Sequence, residues 1–88
     1  MTRLAVPDLS DFMLDALELV ELGAGRTSVE AIMQVTGYSW LDCLAAMKSL
    51  REQELVVRRY PLSGQFYYRI TRQGLRALRK GRRRQARD

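Results

Sequence analysis

The chain has 88 residues, 47% of them hydrophobic and 28% charged, which suffices for one small core and falls short of two domains. With no histidine and one cysteine, Cys43, it cannot carry a Ser-His or Cys-His nucleophile pair, a His-bearing zinc site, a thiolate cluster or an internal disulfide. Its charge is divided: residues 1–50 hold three bases against seven acids, net −4, and residues 51–88 hold twelve bases against three acids, net +9. No acid occurs between Glu54 and Asp88, and such asymmetry points to a polyanionic partner. No apolar run reaches the ~18 residues of a membrane span, and the N-terminus lacks a signal-peptide core, so a cytoplasmic chain without membrane contact is expected. Gly23-Ala24-Gly25-Arg26-Thr27 fits neither a P-loop nor a dinucleotide-binding turn. No catalytic residue, cofactor or metal ligand is expected, and the chain reads as a non-enzyme.

After an N-terminal arm (residues 1–7), the segment 8–22 reads as a helix. Asp8 is placed as its N-cap, and Leu9, Phe12, Met13, Ala16, Leu17 and Val20 recur at helical spacing. Leu14, Leu19 and Leu22 fall off that stripe and widen the apolar surface, which suits either burial or a dimer contact. Gly23 and Gly25 end the helix through a left-handed C-cap. Thr27-x-x-Glu30 then has the form of a capping box and opens a short helix over 28–35, with Val29, Ile32 and either Met33 or Val35 inward.

Thr36-Gly37-Tyr38 forms a tight turn. Ser39-x-x-Asp42 caps a third helix running to about residue 53, on which Cys43, Met47 and Leu50 share a face. Two short helices about a glycine turn are a helix-turn-helix signature. Residues 55–60 and 65–70 alternate like strands and flank Pro61-Leu62-Ser63-Gly64, so they form a hairpin with Phe66, Tyr68 and Ile70 inward and Gln65, Tyr67 and Arg69 outward. Thr71 caps a last helix carrying Leu75 and Leu78. The expected class is α+β, mostly helical, with three helices, a two-stranded β-hairpin wing and a C-terminal helix. The domain occupies 8–80, followed by a flexible basic tail over 81–88.

The stretch from Ala31 to Leu78, with its Gly37 turn, the Leu55-Val56 pair leading into a basic strand and Tyr67-Tyr68-Arg69-Ile70-Thr71-Arg72-Gln73-Gly74, resembles winged-helix transcription regulators of the MarR and PadR type. The resemblance covers residues 28–80. It implies a dimer on palindromic double-stranded DNA, with the third helix in the major groove and the hairpin wing on phosphates or in the minor groove. Aligned on Gly37 and Leu50, the positions facing DNA are Ser39, Trp40, Leu41, Asp42, Ala45, Lys48 and Ser49. This set departs from an ordinary reading face, which favours Arg, Lys, Asn and Gln. Trp40 and Leu41 suit thymine methyls, a protein contact or the core. Asp42 suits the helix N-terminus or a cytosine amino group. Glu54 stands where the family usually has glycine at positive φ, which implies a different helix end or a small strain.

The basic half compensates for the weakly charged third helix. Arg58, Arg59 and Arg69 lie on or beside the wing, Ser63 and Gly64 at its tip, and Arg72 and Arg76 open a row on the last helix that continues through Arg79, Lys80 and Arg83. The plain alternative is a solvated helix end. Tyr67 and Tyr68 suggest a stacking surface, but one of an adjacent pair must face inward, and Tyr68 is assigned to the core. Cys43 is assigned as a small core hydrophobe rather than a redox sensor.

The leading expectation is thus a DNA-binding transcriptional regulator, nucleoid-associated, homodimeric through the first or last helix and without a dedicated ligand site. Its interface comprises Ser39, Trp40, Asp42, Lys48, Arg58, Arg59, Ser63, Gly64, Arg69, Arg72 and Arg76. The alternative is a winged-helix interaction module whose third helix docks on a partner protein.

Overall fold

In the computed structural model, which describes residues 9–60 and 66–87, the chain runs α1 (Asp11–Leu22), α2 (Val29–Thr36), α3 (Trp40–Glu52), β1 (Val56–Arg59), β2 (Tyr67–Ile70) and α4 (Arg72–Arg87). The order is the one expected, with several local differences. The cap of α1 is Ser10, whose hydroxyl accepts from the Met13 amide; Asp8, the cap expected from sequence, lies outside the described residues, as do Ser63, Gly64 and Gln65. Leu14 is 1% exposed although it falls off the main apolar stripe. The reason is that α1 serves two partners: Ala16, Leu17 and Val20 join the central core, while Leu14 projects onto Gly81 of α4.

The turn after α1 also differs. Gly23 keeps a right-handed φ of −77°, and Ala24 (φ 52°) and Gly25 (φ 89°) take the left-handed positions. Gly23 is required for closeness instead, since a Cβ there would fall 1.9 Å from the Thr27 hydroxyl oxygen. Thr27 is not the cap of α2. It is buried, donates to the Leu19 carbonyl at 2.9 Å and forms a one-residue bridge to Tyr68. The cap is Ser28, which accepts from the Ala31 amide. Met33 is the partly buried residue at the end of α2, and Val35 is exposed.

Gly37 ends α2 at φ 80°, and Ser39 caps α3 by accepting from the Asp42 amide at 3.1 Å. Tyr38 stacks on Phe12 with ring centroids 3.9 Å apart, which fastens the helix-turn-helix to α1. Cys43, Met47 and Leu50 close the core from α3. The Cys43 thiol donates to the Tyr38 carbonyl, and burial pushes its pKa up, opposed by Thr36 and reinforced by the charge of Asp42. A buried thiol with little thiolate is unreactive. A disulfide reagent at neutral pH should therefore leave Cys43 unmodified in the native protein and titrate it fully in denaturant.

Glu54, between α3 and β1, adopts φ 63°. This is the strained helix end its sequence position implies. A side chain in the left-handed region costs about 1 kcal/mol. Glu54→Gly should accordingly raise stability by about 0.5–1 kcal/mol in urea unfolding; a lower midpoint would contradict the strain.

β1 and β2 pair antiparallel, with Val56 opposite Ile70, Val57 opposite Arg69, Arg58 opposite Tyr68 and Arg59 opposite Tyr67. Val56, Tyr68 and the half-buried Ile70 face the core. Thr71 caps α4 by accepting from the Gly74 amide, and its hydroxyl lies within hydrogen-bond reach of the Glu54 and Leu55 carbonyls. Residues 81–87, expected as a flexible tail, continue α4: Gly81 is buried, and Arg82 pairs with Asp15 and Glu18 of α1 while Gln85 donates to Asp11. Burial alone would lower the Arg82 pKa, but the two carboxylates hold it above its ordinary value.

Candidate nucleic-acid interface

The outward side of α3 carries Leu41, Ala45, Lys48 and Glu52, opposite the buried Cys43, Met47 and Leu50. Leu41 is 74% exposed and Trp40, at the first turn, 42%. Ser39 and Asp42 are exposed, but the Ser39 oxygen is occupied as an N-cap acceptor and Asp42 sits in the first turn, where a carboxylate complements the helix dipole. Ser49 is half-buried and holds the Gln53 amide through its carbonyl and hydroxyl oxygens. The outward face of the helix therefore presents one base, Lys48, among acidic and apolar neighbours, and its other base, Arg51, is half-buried in the last turn.

The wing sorts its arginines by strand parity. Arg59 and Arg69 point outward and are exposed. Arg58 is on the inner side, where its guanidinium lies 5.1 Å from the Phe66 ring centroid and 5.2 Å from that of Tyr60. Its Nε is buried with no hydrogen-bond partner among the described residues. Burial raises the phenol pKa of the neighbouring Tyr68, and the Arg58 charge partly offsets that rise. Arg58, grouped from sequence with the outward arginines, is thus packed as part of an aromatic cluster, in which cation–π contacts stabilise it.

A residue not singled out from sequence joins the outer face. The Thr27–Tyr68 bridge places Arg26 at the same sheet edge as Arg69, and Arg26, Arg59, Arg69, Tyr60 and Tyr67 line one shallow cleft over the Ala24–Gly25 turn. Arg26 belongs to the acidic half, and a one-residue bridge leaves almost no periodic signal by which to find it. Arg72 and Arg76 are exposed near the start of α4. Ser63 and Gly64 lie outside the described residues.

The fold of the chain is similar to the crystal structure of a transcriptional regulator of the MarR family from Rhodococcus sp. RHA1, which superposes with a TM-score of 0.79 over 86% of this chain at 21% sequence identity. The fold is a winged helix. The chain spans 55% of the length of that neighbour. No protein-family model matches the sequence, and no curated protein matches it significantly. Within this winged helix, α2 and α3 are the helix-turn-helix, β1 and β2 the wing, and Thr27 adds a one-residue bridge to β2. No helix among the described residues is long and apolar enough to cross a membrane.

Proposed function

We propose that this winged helix binds double-stranded DNA as a regulator of transcription, with phosphate contacts from the wing supplying most of the affinity and α3 a modest sequence preference. The observation that carries this reading is the convergence of Arg26, Arg59 and Arg69 on one exposed cleft, in a fold whose α3 turns one side to solvent. The similarity to a transcriptional regulator of the same fold supports it. Arg72 and Arg76 extend the phosphate contacts, Ser63 and Gly64 approach the backbone at the wing tip, and Lys48 with Trp40 and Asp42 meets base edges. Such a protein works in the cytoplasm on the nucleoid, and its role is binding without a catalytic step.

A homodimer through α1 suits this reading better than one through α4. An isologous contact on the outer face of α4 would set arginine against arginine. Salt titration of duplex binding by fluorescence anisotropy tests the proposal: affinity should fall steeply with salt, and absence of binding at low salt would refute it.

The alternative, docking of α3 on a partner protein, is favoured by one feature, the exposed apolar pair Trp40 and Leu41. Trp40→Ala separates the two readings, because a residue this exposed can be removed without unfolding the domain. Expected is a preference among duplex sequences reduced about tenfold, one contact of ~1–3 kcal/mol, with nonspecific affinity unchanged. If the preference is unaltered, Trp40 does not read bases.

A further inference from the structure

The far half of α4 carries a charged surface that the wing and α3 do not use. Arg79, Lys80, Arg83 and Arg87 are exposed, and at 3.6 residues per turn they share one side of the helix, opposite Ala77, Leu78 and Gly81, which are buried. No acidic residue occurs between Glu54 and Asp88.

The direction of this surface follows from α1. Phe12 stacks on Tyr38 at the helix-turn-helix, and Leu14 meets Gly81 of α4. Two residues apart, these side chains project roughly 200° from one another around the helix. The helix-turn-helix and α4 therefore lie on opposite flanks of α1. The cations of α4 are turned away from α1; Arg72, at the near end of the same side, lies beside the wing and Arg51 of α3, and Arg79 to Arg87 stand about 10–22 Å further along the helix.

We propose that the outer face of α4 from Arg79 to Arg87 binds a second duplex segment while α3 and the wing hold the first, so that one molecule bridges two duplexes. The inference rests on the reading of α3 and the wing as a duplex-binding surface. Residues 79–87 span about 12 Å of helix, and that length of duplex axis presents about seven phosphates. The ligand matched is a rigid, dense polyanion. A lipid surface fits less well, because an interfacial helix needs an exposed apolar side, and that of α4 is spent on α1. A second copy of α4 would be repelled.

The test compares the wild-type protein with a variant combining Arg79→Gln, Lys80→Gln, Arg83→Gln and Arg87→Gln, substitutions that keep helix propensity. Circular dichroism and light scattering check that fold and oligomeric state are unchanged. Anisotropy reports binding of one labelled duplex. Bead-tethered duplex capturing a second, labelled duplex reports bridging. Wild type should capture the second duplex, with a maximum at intermediate protein concentration. The variant should still bind the single duplex but capture at least tenfold less, since each lost phosphate contact is worth about eightfold at 0.1 M salt. Single-duplex binding without capture by wild type would overturn the bridge and leave the regulator reading intact. No single-duplex binding would remove both. Capture equal in wild type and variant would place the bridge elsewhere, as in a dimer. Binding to vesicles containing phosphatidylglycerol, lost in the variant and without duplex capture, would make the occupant a lipid surface and overturn the proposal.

Discussion

Gly74→Ala is expected to destabilise the domain by about 2–3 kcal/mol, and so to lower its melting temperature by roughly 10–20 °C for a chain of this size. A Cβ at position 74 would stand 2.1 Å from the Leu55 carbonyl oxygen and 2.7 Å from the Ile70 side chain. That carbonyl cannot yield cheaply, because it accepts the Thr71 amide at 3.0 Å and lies 3.0 Å from the Thr71 hydroxyl. Moving it would loosen the cap of α4 and the entry into β1 together. The ~1 kcal/mol that alanine gains over glycine inside a helix offsets only part of the clash. Gly81→Ala offers the contrast. Its Cβ would meet the tip of Leu14, which can rotate aside, so its cost should stay near 1 kcal/mol or below. Thermal unfolding of both variants checks this, and a Gly74→Ala protein as stable as wild type would show that the contact between α4 and Leu55 is looser than described.

The second large effect is on binding. Replacing Arg59 and Arg69 together by alanine should lower the salt dependence of duplex binding by about 1.8 units of log K per decade of salt, at about 0.9 per phosphate contact, and affinity at 0.1 M salt by about sixtyfold. Both side chains are exposed on the outer face of the wing, so folding should be nearly untouched. Arg58→Ala should do the reverse. Its guanidinium lies against Phe66 and Tyr60, and its loss should cost about 1 kcal/mol of stability with little change in salt slope. A pair of variants with indistinguishable slopes would mean that the parity of the strands does not decide which arginines meet phosphate.

Much of this architecture was legible in the residues. Gly37 and Ser39 marked the turn and the cap of α3 because each answers a local backbone need that few other residues meet. Alternation placed Tyr68 inward and Arg69 outward because the strand repeat is two. Arg58 reads from its charge as a wing cation like Arg59 and Arg69, but its register opposite Tyr68 puts it on the inner side. Only the aromatic partners at positions 60 and 66 explain how a guanidinium is held there.

What could not be read depended on distant pairings. Leu14 lies off the main stripe because α1 packs against helices on two flanks, one of them contributed by residues more than sixty positions away. Thr27 looked like a cap because its spacing to Glu30 fits a local rule; its actual role comes from the bridge to Tyr68, which moved the cap one residue on. Glycine at 81 suggested a helix end, yet it is a site of close approach, and the arginines beyond it are helical because Arg82 and Gln85 find partners on α1.

The spacing of Gly74 and Gly81 has one more consequence. Gly74 meets Leu55 and Ile70 of β2 while Gly81, seven residues on, meets Leu14 of α1, on nearly the same side of α4, and the residues between them act as a ruler. A single insertion or deletion in that interval would turn everything beyond it by about 100°, swinging Arg82 off its carboxylates and driving cationic side chains toward α1. Homologous sequences should therefore keep the interval itself constant in length.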